Sequence, residues 1–346
     1  LNLNKKSKTA IFSSLMVVLG SVASAILATA MTKKANITPI SFFTDVLSSK
    51  YYAGTILNTS LLLTVSGLGA ACALTNGEFN LGGEGQIYAG GFICAIVACA
   101  MKNCLPFFAV ATAAICAMGF SALLALCSAL LKYYKKTSVL LTSFLISSAI
   151  IPVIDSLIAG PFKNSGNLLA TEFIPQNMRI KQIMPPSPLN IAIILIPIFC
   201  FAAYYFLNKT SSGRKIVING IAPEFGRYCG YNQKAMLFSS MAISGALHGL
   251  TGFLAVFGTY FTCHSGFYTG MGWNALTTAL AASSNPIAII PSALTLSWIF
   301  TSADKATLTG NFGFNFSALV QGIMLFSISI KVFAKKSKIK IKKTKS

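Results

Sequence analysis

The sequence predicts an all-α, polytopic integral membrane protein of about ten transmembrane helices, broken or half-length helices among them. Three observations carry that expectation. Only 10% of the 346 residues are charged and 54% are hydrophobic, against about 25% charged in an ordinary soluble domain. The apolar residues come in repeated runs of about 20, the length that crosses a hydrocarbon core of about 30 Å. No loop between the runs exceeds roughly 30 residues, too short for a soluble domain of about 100, so 1–346 reads as a single transmembrane domain.

In order, the first run, Ile11–Met31, is longer than the roughly 7–15 residues of a signal-peptide core and reads as a retained helix. Tyr51–Thr75, Gln86–Met101, Leu105–Leu131 and Ser138–Gly160 follow as spans two to five. Pro161–Pro188 is a proline-rich loop with little regular structure expected. Leu189–Leu207 and Ala235–Tyr260 are the next spans, and Gly272–Ala282 is too short for a full crossing, which suggests a half-helix or re-entrant segment. Ile287–Ala303 and Asn315–Phe333 complete the set, with Asp304–Phe314 expected as a loop and 335–346 as a basic tail.

The net charge of +20 raises the question of nucleic acid. The lysines and arginines instead cluster at the ends of apolar runs and in the tail, with no base-reading module, so nucleic acid is not an expected partner and lipid headgroups are. Ten spans place both termini on one side. With that side cytoplasmic, nineteen Lys and Arg lie inside and eight outside, as the positive-inside rule requires.

Polar residues are scarce enough to be informative. Leu74–Gly91 interrupts the apolar pattern with six glycines, Glu78, Glu84, Asn76, Asn80 and Gln86. Irregular polar backbone at membrane depth persists where it is buried in protein or lines a cavity. Asp155, inside the fifth run after Pro152, either faces the bundle interior or marks a helix end near the interface. His248, in Gly245-x-x-x-Gly249, reads as an interhelical hydrogen-bonder in a small-residue packing stripe. The nine cysteines include no C-x-x-C and read as small hydrophobes. No metal-ligand spacing, catalytic set or phosphate loop is present, so the chain is expected to bind no cofactor and catalyse no reaction, and any ATP is used by a partner.

Asn208–Lys234 differs in character. Pro223 after Gly220-Ile221-Ala222 opens a short helix in which Phe225, Tyr228 and Cys229 share a face, and Gly230 stops it. It reads either as a surface helix on the membrane or as a knob for a partner protein.

Together these features resemble the permease subunits of bacterial ABC importers, in the branch of branched-chain amino acid, simple sugar and nucleoside permeases. Phe79-Asn80-Leu81-Gly82-Gly83-Glu84-Gly85-Gln86 is similar to that group's F-N-[IL]-G-x-E-G-Q motif. Gly213-Arg214, Gly220 and Glu224–Tyr231 resemble its cytoplasmic coupling segment, and Met241–Gly252, Ser265–Gly272 and Asn285-Pro286 its following helix and turns. The likeness runs from about Thr55 to Ile330. Thr75, Glu78, Asn274 and His248 depart from the common pattern, where relatives often carry Arg, an apolar residue, Asp and a small residue.

The resemblance implies a second permease subunit (the same chain or a similar one), two ATP-binding cassette subunits and an extracytoplasmic solute-binding protein. It implies location in the bacterial cytoplasmic membrane, with 208–234 the coupling segment. It assigns ATPase coupling to Gly220, Pro223, Glu224, Phe225, Arg227, Tyr228 and Gly230, and the solute pathway or helix break to Asn80, Glu84, Gln86, Asn58, Asn274 and Glu78. The expected solute is nucleoside-like, with a simple sugar or flavin-type vitamin as alternatives. A different class, a proton-coupled transporter using Asp155 and Glu84 as relay groups, would need no docking helix at 223–230.

Overall fold

The computed structural model describes residues 17–27, 30, 38–310 and 315–343, and from 330 onward the backbone alone. Thirteen helices account for most of these residues, and no strand occurs among them. They are α1 (Val17–Leu27), α2 (Pro39–Thr44), α3 (Lys50–Thr75), α4 (Gly83–Ala100), α5 (Pro106–Lys135), α6 (Val139–Ala159), α7 (Leu195–Lys209), α8 (Ser211–Ile221), α9 (Pro223–Tyr228), α10 (Gln233–Ala255), α11 (Met271–Ala281), α12 (Pro286–Gly310) and α13 (Phe316–Lys343). Seven stretches are long and apolar enough to cross a membrane: α3 to α6, α7 with the turn before it, α10 with the turn after it, and α12. With the apolar parts of α1 and α13 and the short α11, every expected span has a helix. The rest of Ile11–Met31 and residues 344–346 of the tail lie outside the described residues.

Composition decides which helices are central. The most apolar 18-residue window of α3 is 89% buried, against 22% for that of α7. In α3 the polar and small residues Asn58, Ser60, Ser66, Gly67 and Gly69 are all enclosed, whereas α7 turns Ile198, Phe201 and Tyr205 outward. In lipid, apolar side chains gain little by hiding, so close approach of small residues drives helix association. α5 shows this in its register: Ala109, Ala113, Ala117, Ser121, Ala125 and Ala129 recur every fourth residue and are all fully buried. Ala117, Ser121 and Ala125 meet Gly245 and Gly249 of α10. A methyl group on Gly245 would come within 2.5 Å of the Ser121 carbonyl oxygen, and one on Gly90 of α4 within 2.6 Å of the Gly249 backbone. Gly245-x-x-x-Gly249 is therefore a packing seam for two neighbours at once.

Several expected boundaries move. α4 starts at Gly83 rather than Gln86, so the polar break shrinks to 76–82 and Glu84 and Gln86 fall in the first turn of a helix. α12 runs to Gly310, so residues 304–310 of the expected loop are helical. Nothing between Asp304 and Thr309 breaks a helix, and Lys305 reaches back to donate to the Asp45 carbonyl at 2.7 Å. The polar stretch after α7 holds a further helix, α8, whose N-cap Thr210 accepts from the Gly213 amide. The last turn of α10 loosens into a π-helical turn over Val256–Tyr260 and stops at Phe261, which adopts φ +58°.

The contacts sort the helix ends into two sets. One end gathers the C-termini of α3 and α5, α8 and the start of α10, through Asn219, Asn76, Ser240, Glu78 and Lys132. The opposite end gathers the C-terminus of α6, the loop before α7 and the loop after α10, through Asp155–Ser265 and Thr171–Cys263.

Candidate translocation site

The break begins with a tightly closed helix end. Glu78 donates its amide to the Ala73 carbonyl and Gly77 to that of Leu74. This six-to-one and five-to-two pairing needs a left-handed residue, supplied by Gly77 at φ +82°. The backbone then crosses 78–82 without helical hydrogen bonds and would carry unsatisfied donors into the bundle if nothing met them.

Side chains meet them. Asn80 Nδ2 donates to Gln86 Oε1 at 2.9 Å and to Ser244 Oγ at 2.9 Å. Asn80 Oδ1 accepts from Gly82 N at 3.0 Å and from Gln86 Nε2 at 3.2 Å. Leu81 N donates to Ser143 Oγ, Gly85 N to Ser147 Oγ, and Ser121 Oγ to the Gln86 carbonyl. Asn80 and Gln86, 4% and 3% exposed, thus knot the break and the first turn of α4 to α5, α6 and α10. Their bonds serve the helix break; neither side chain lines the cavity described below.

A second polar link joins this break to α8. Asn219 Nδ2 donates to Asn76 Oδ1 at 2.9 Å, and Asn76 Nδ2 donates to Ser240 Oγ at 3.0 Å. Beside Asn219, Gly220 lies so close to the Thr75 and Asn76 backbone that no side chain fits. Gly220, expected to face a partner, is thus turned inward. Pro223 opens α9 with its carbonyl taken by Gln233, and Gly230 ends the turn at φ +72°. Phe225 and Tyr228 are 57% and 90% exposed, and Glu224 and Arg227, 3.5 Å apart, point outward beside them.

The remaining expected site residues divide between the two ends. Glu78 pairs with Lys132 of α5. Glu84 Oε1 accepts from Gly270 N at 2.8 Å, at the N-terminus of α11. Asn274 is buried one turn into α11. Asn58 stands apart, accepting from Asn190 and donating to Thr259 at the π-helical turn, both at 2.9 Å. Asp155 accepts from Tyr88 at 2.6 Å and Ser265 at 2.7 Å, so it ties α6 to α4 and the loop after α10. The serine pairs Ser143/Ser147 and Ser240/Ser244 were missed by sequence reasoning; their signal is i, i+4 spacing on one helix face. His248 makes no interhelical hydrogen bond, contrary to expectation. α10 packs through its glycines and leaves the imidazole facing Gly69 and Gly83.

Between the break, the start of α6, α11 and α13 lies a cavity of about 470 Å³. Phe79, Leu81, Leu140, Trp273 and Leu276 supply its apolar wall, and Glu78 its one charge. No group of three metal-ligating side chains occurs among the described residues.

A bundle of membrane-length helices interrupted by a hydrogen-bonded break, with a short exposed helix beside it, fits a membrane permease. The model of the family described as "Branched-chain amino acid transport system / permease component" matches residues 52–329, and the chain belongs to that family. It is a permease subunit of an ABC-type importer and not an enzyme. It is 34% identical over 328 residues to "Probable riboflavin import permease protein RfuC" of Treponema pallidum (strain Nichols), covering 93% of this chain and 86% of that one. It is 27% identical to the nucleoside ABC transporter permease protein NupB of Lactococcus lactis subsp. cremoris (78% and 76% covered). It is 24% identical to the guanosine ABC transporter permease protein NupP of Bacillus subtilis (71% and 72% covered).

Proposed function

We propose that this chain carries a flat nitrogen heterocycle bearing a polyhydroxylated arm into the cell, riboflavin ahead of nucleosides. The cavity carries this reading. Its volume of about 470 Å³ and its mainly apolar wall, with Trp273 and Phe79 and a single acid, suit an aromatic ring with a polar edge better than a hexose, which needs polar groups all round. The solutes in the relatives' names agree in kind: riboflavin, nucleoside and guanosine all join a heterocycle to a polyol or ribose arm. This moves the expected solute from nucleoside-like to flavin-like and keeps the nucleoside second.

In this reading Glu78, Asn274 and Glu84 border the pathway, Asn80 and Gln86 hold the helix break open, and Asn58 braces the far end. The exposed face of α9, within the coupling segment 208–234, docks an ATP-binding cassette subunit. Asn219 and Asn76 pass its movement to the break and to α10. Two such permease chains, two ATPase subunits and a solute-binding protein form the importer. It sits in the cytoplasmic membrane with both termini inside, and ATP binds the partner chains only.

The test is uptake by the reconstituted complex in proteoliposomes. Labelled riboflavin is expected to enter, unlabelled riboflavin to compete best, guanosine next and glucose least. Uptake of glucose with no competition by riboflavin or guanosine would overturn the assignment.

A further inference from the structure

His248 lies in α10, 1% exposed, and neither ring nitrogen has a hydrogen-bond partner among the described residues. Buried polar groups without partners are rare in native folds, and each calls for an explanation. Packing gives none, because a leucine would fill the space without stranding two nitrogens. Two glycines, Gly69 and Gly83, stand against the ring. A methyl group on Gly83 would lie 3.4 Å from the imidazole Cε1 and 3.5 Å from Nε2; one on Gly69 would lie 3.5 Å from Cε1. The same methyl on Gly83 would lie 3.0 Å from the Gly272 Cα.

The imidazole and the Gly272 backbone therefore both lie against the first residue of α4. Leu81 and Trp273, close in sequence to Gly83 and Gly272, line the cavity. Glu84, whose carboxylate accepts from Gly270 N, is at the same junction. The meeting of α4 and α11 is backbone against backbone, with the Gly83 and Glu84 backbone against Gly272.

We propose that His248 is a solute-specificity residue, hydrogen-bonding the ring edge of the heterocycle in transit when the N-termini of α4 and α11 part. This rests on the flat-heterocycle reading above. A neutral imidazole offers one donor and one acceptor. The two nitrogens point away from each other, so one of them at a time meets the ring edge, donating to a C=O or accepting from an N–H, groups found in the pyrimidinedione ring of flavins and in guanine. The Glu84 carboxylate supplies a second acceptor for a ring N–H at the same junction.

The experiment compares riboflavin uptake by the reconstituted complex carrying wild-type chain, His248→Gln or His248→Leu. His248→Leu is expected to raise KM at least tenfold with kcat within twofold, and His248→Gln, which keeps a donor and an acceptor, to recover most of the loss. An unchanged KM in His248→Leu, with wild-type uptake intact, overturns this proposal alone. Wild-type uptake of neither riboflavin nor guanosine overturns the solute reading and this proposal together. Because His248→Leu can fail to fold, the wild-type complex is also treated with diethyl pyrocarbonate and mapped by mass spectrometry. His264, half-buried in the loop after α10 and held below the ordinary imidazole pKa by burial, is the internal control. Carbethoxylation of His248 is expected during ATP turnover, absent without ATP and suppressed by saturating riboflavin. Full modification of His264 with none of His248 during turnover overturns the proposal.

Discussion

Two buried polar regions of this protein meet at the start of α4, one turn of α10 apart, and are built in opposite ways. In the knot of Asn80 and Gln86, both side chains are nearly inaccessible, and each bonds the other, with Ser244 and the Gly82 amide completing Asn80's set. At His248, equally buried, neither nitrogen is paired. A buried amide with all its partners fixes a backbone path; a buried imidazole with none is at odds with the closed arrangement around it. The difference separates polar groups that build the helix break from one placed to meet something that passes it. The first lies in the F-N-L-G-G-E-G-Q stretch and the second on α10 against Gly83 of that stretch.

The largest effect expected on the paired side is that of Asn80→Leu. It strands Gln86, Ser244 and the Gly82 amide, and unsatisfied buried groups cost about 1–3 kcal/mol each. A loss of about 3 kcal/mol or more is expected, read as a lowered Tm of the detergent-solubilised permease or failure to obtain it folded. Gln86→Leu is expected to cost nearly as much, and the double variant clearly less than the sum, because one network is being removed. Additive losses would mean that the two amides act separately.

Asn76→Leu cuts the Asn219–Asn76–Ser240 link. We expect about 2 kcal/mol of destabilisation and a tenfold or greater loss of uptake while the ATPase subunit still co-purifies. Normal uptake would remove this link from the coupling route. Replacing both Phe225 and Tyr228 with alanine is expected to change Tm little, within about 0.5 kcal/mol, since exposed positions away from special features seldom matter to stability. Co-purification of the ATPase subunit should nevertheless be lost, and its retention would show that α9 lies on the membrane instead. Lys132→Met gives the smallest stability change, about 1 kcal/mol or less, because the Lys132 side chain is 37% exposed and such pairs contribute little. Its readout is riboflavin KM, which should shift as Glu78 at the cavity wall loses its partner.

The spans were legible in the sequence because hydrocarbon thickness imposes a run length on any helix that crosses it, and α3, α5 and α6 emerge nearly as their apolar runs predict. α8 was not, because an amphipathic helix of eleven residues outside the core carries no such run. The end of α12 was misread for a related reason: Asp304 and Lys305 look like a loop, yet the helix continues through them and Lys305 finds a carbonyl. Within the site, Asn80, Glu84 and Gln86 were recognisable from the motif, but their roles depend on partners distant in the chain, such as Ser244 and Gly270. Asn58, assigned to the pathway with the motif residues, is tied to Asn190, across the far loop. For His248 the failure is instructive. A histidine in a small-residue stripe is expected to find a neighbour to bond, and here Gly69 and Gly83 stand against the ring and neither nitrogen is bonded.

ATP-driven import, with coupling through α9 as proposed, is tested most directly by the energetics of uptake. Proteoliposomes holding the complete complex are loaded with ATP and magnesium, and riboflavin accumulation is followed with and without a protonophore. Accumulation that requires hydrolysable ATP and persists when the proton gradient is collapsed is the predicted result. Accumulation that proceeds without ATP and stops with the protonophore would contradict it and return Asp155 and Glu84 to the role of proton relay.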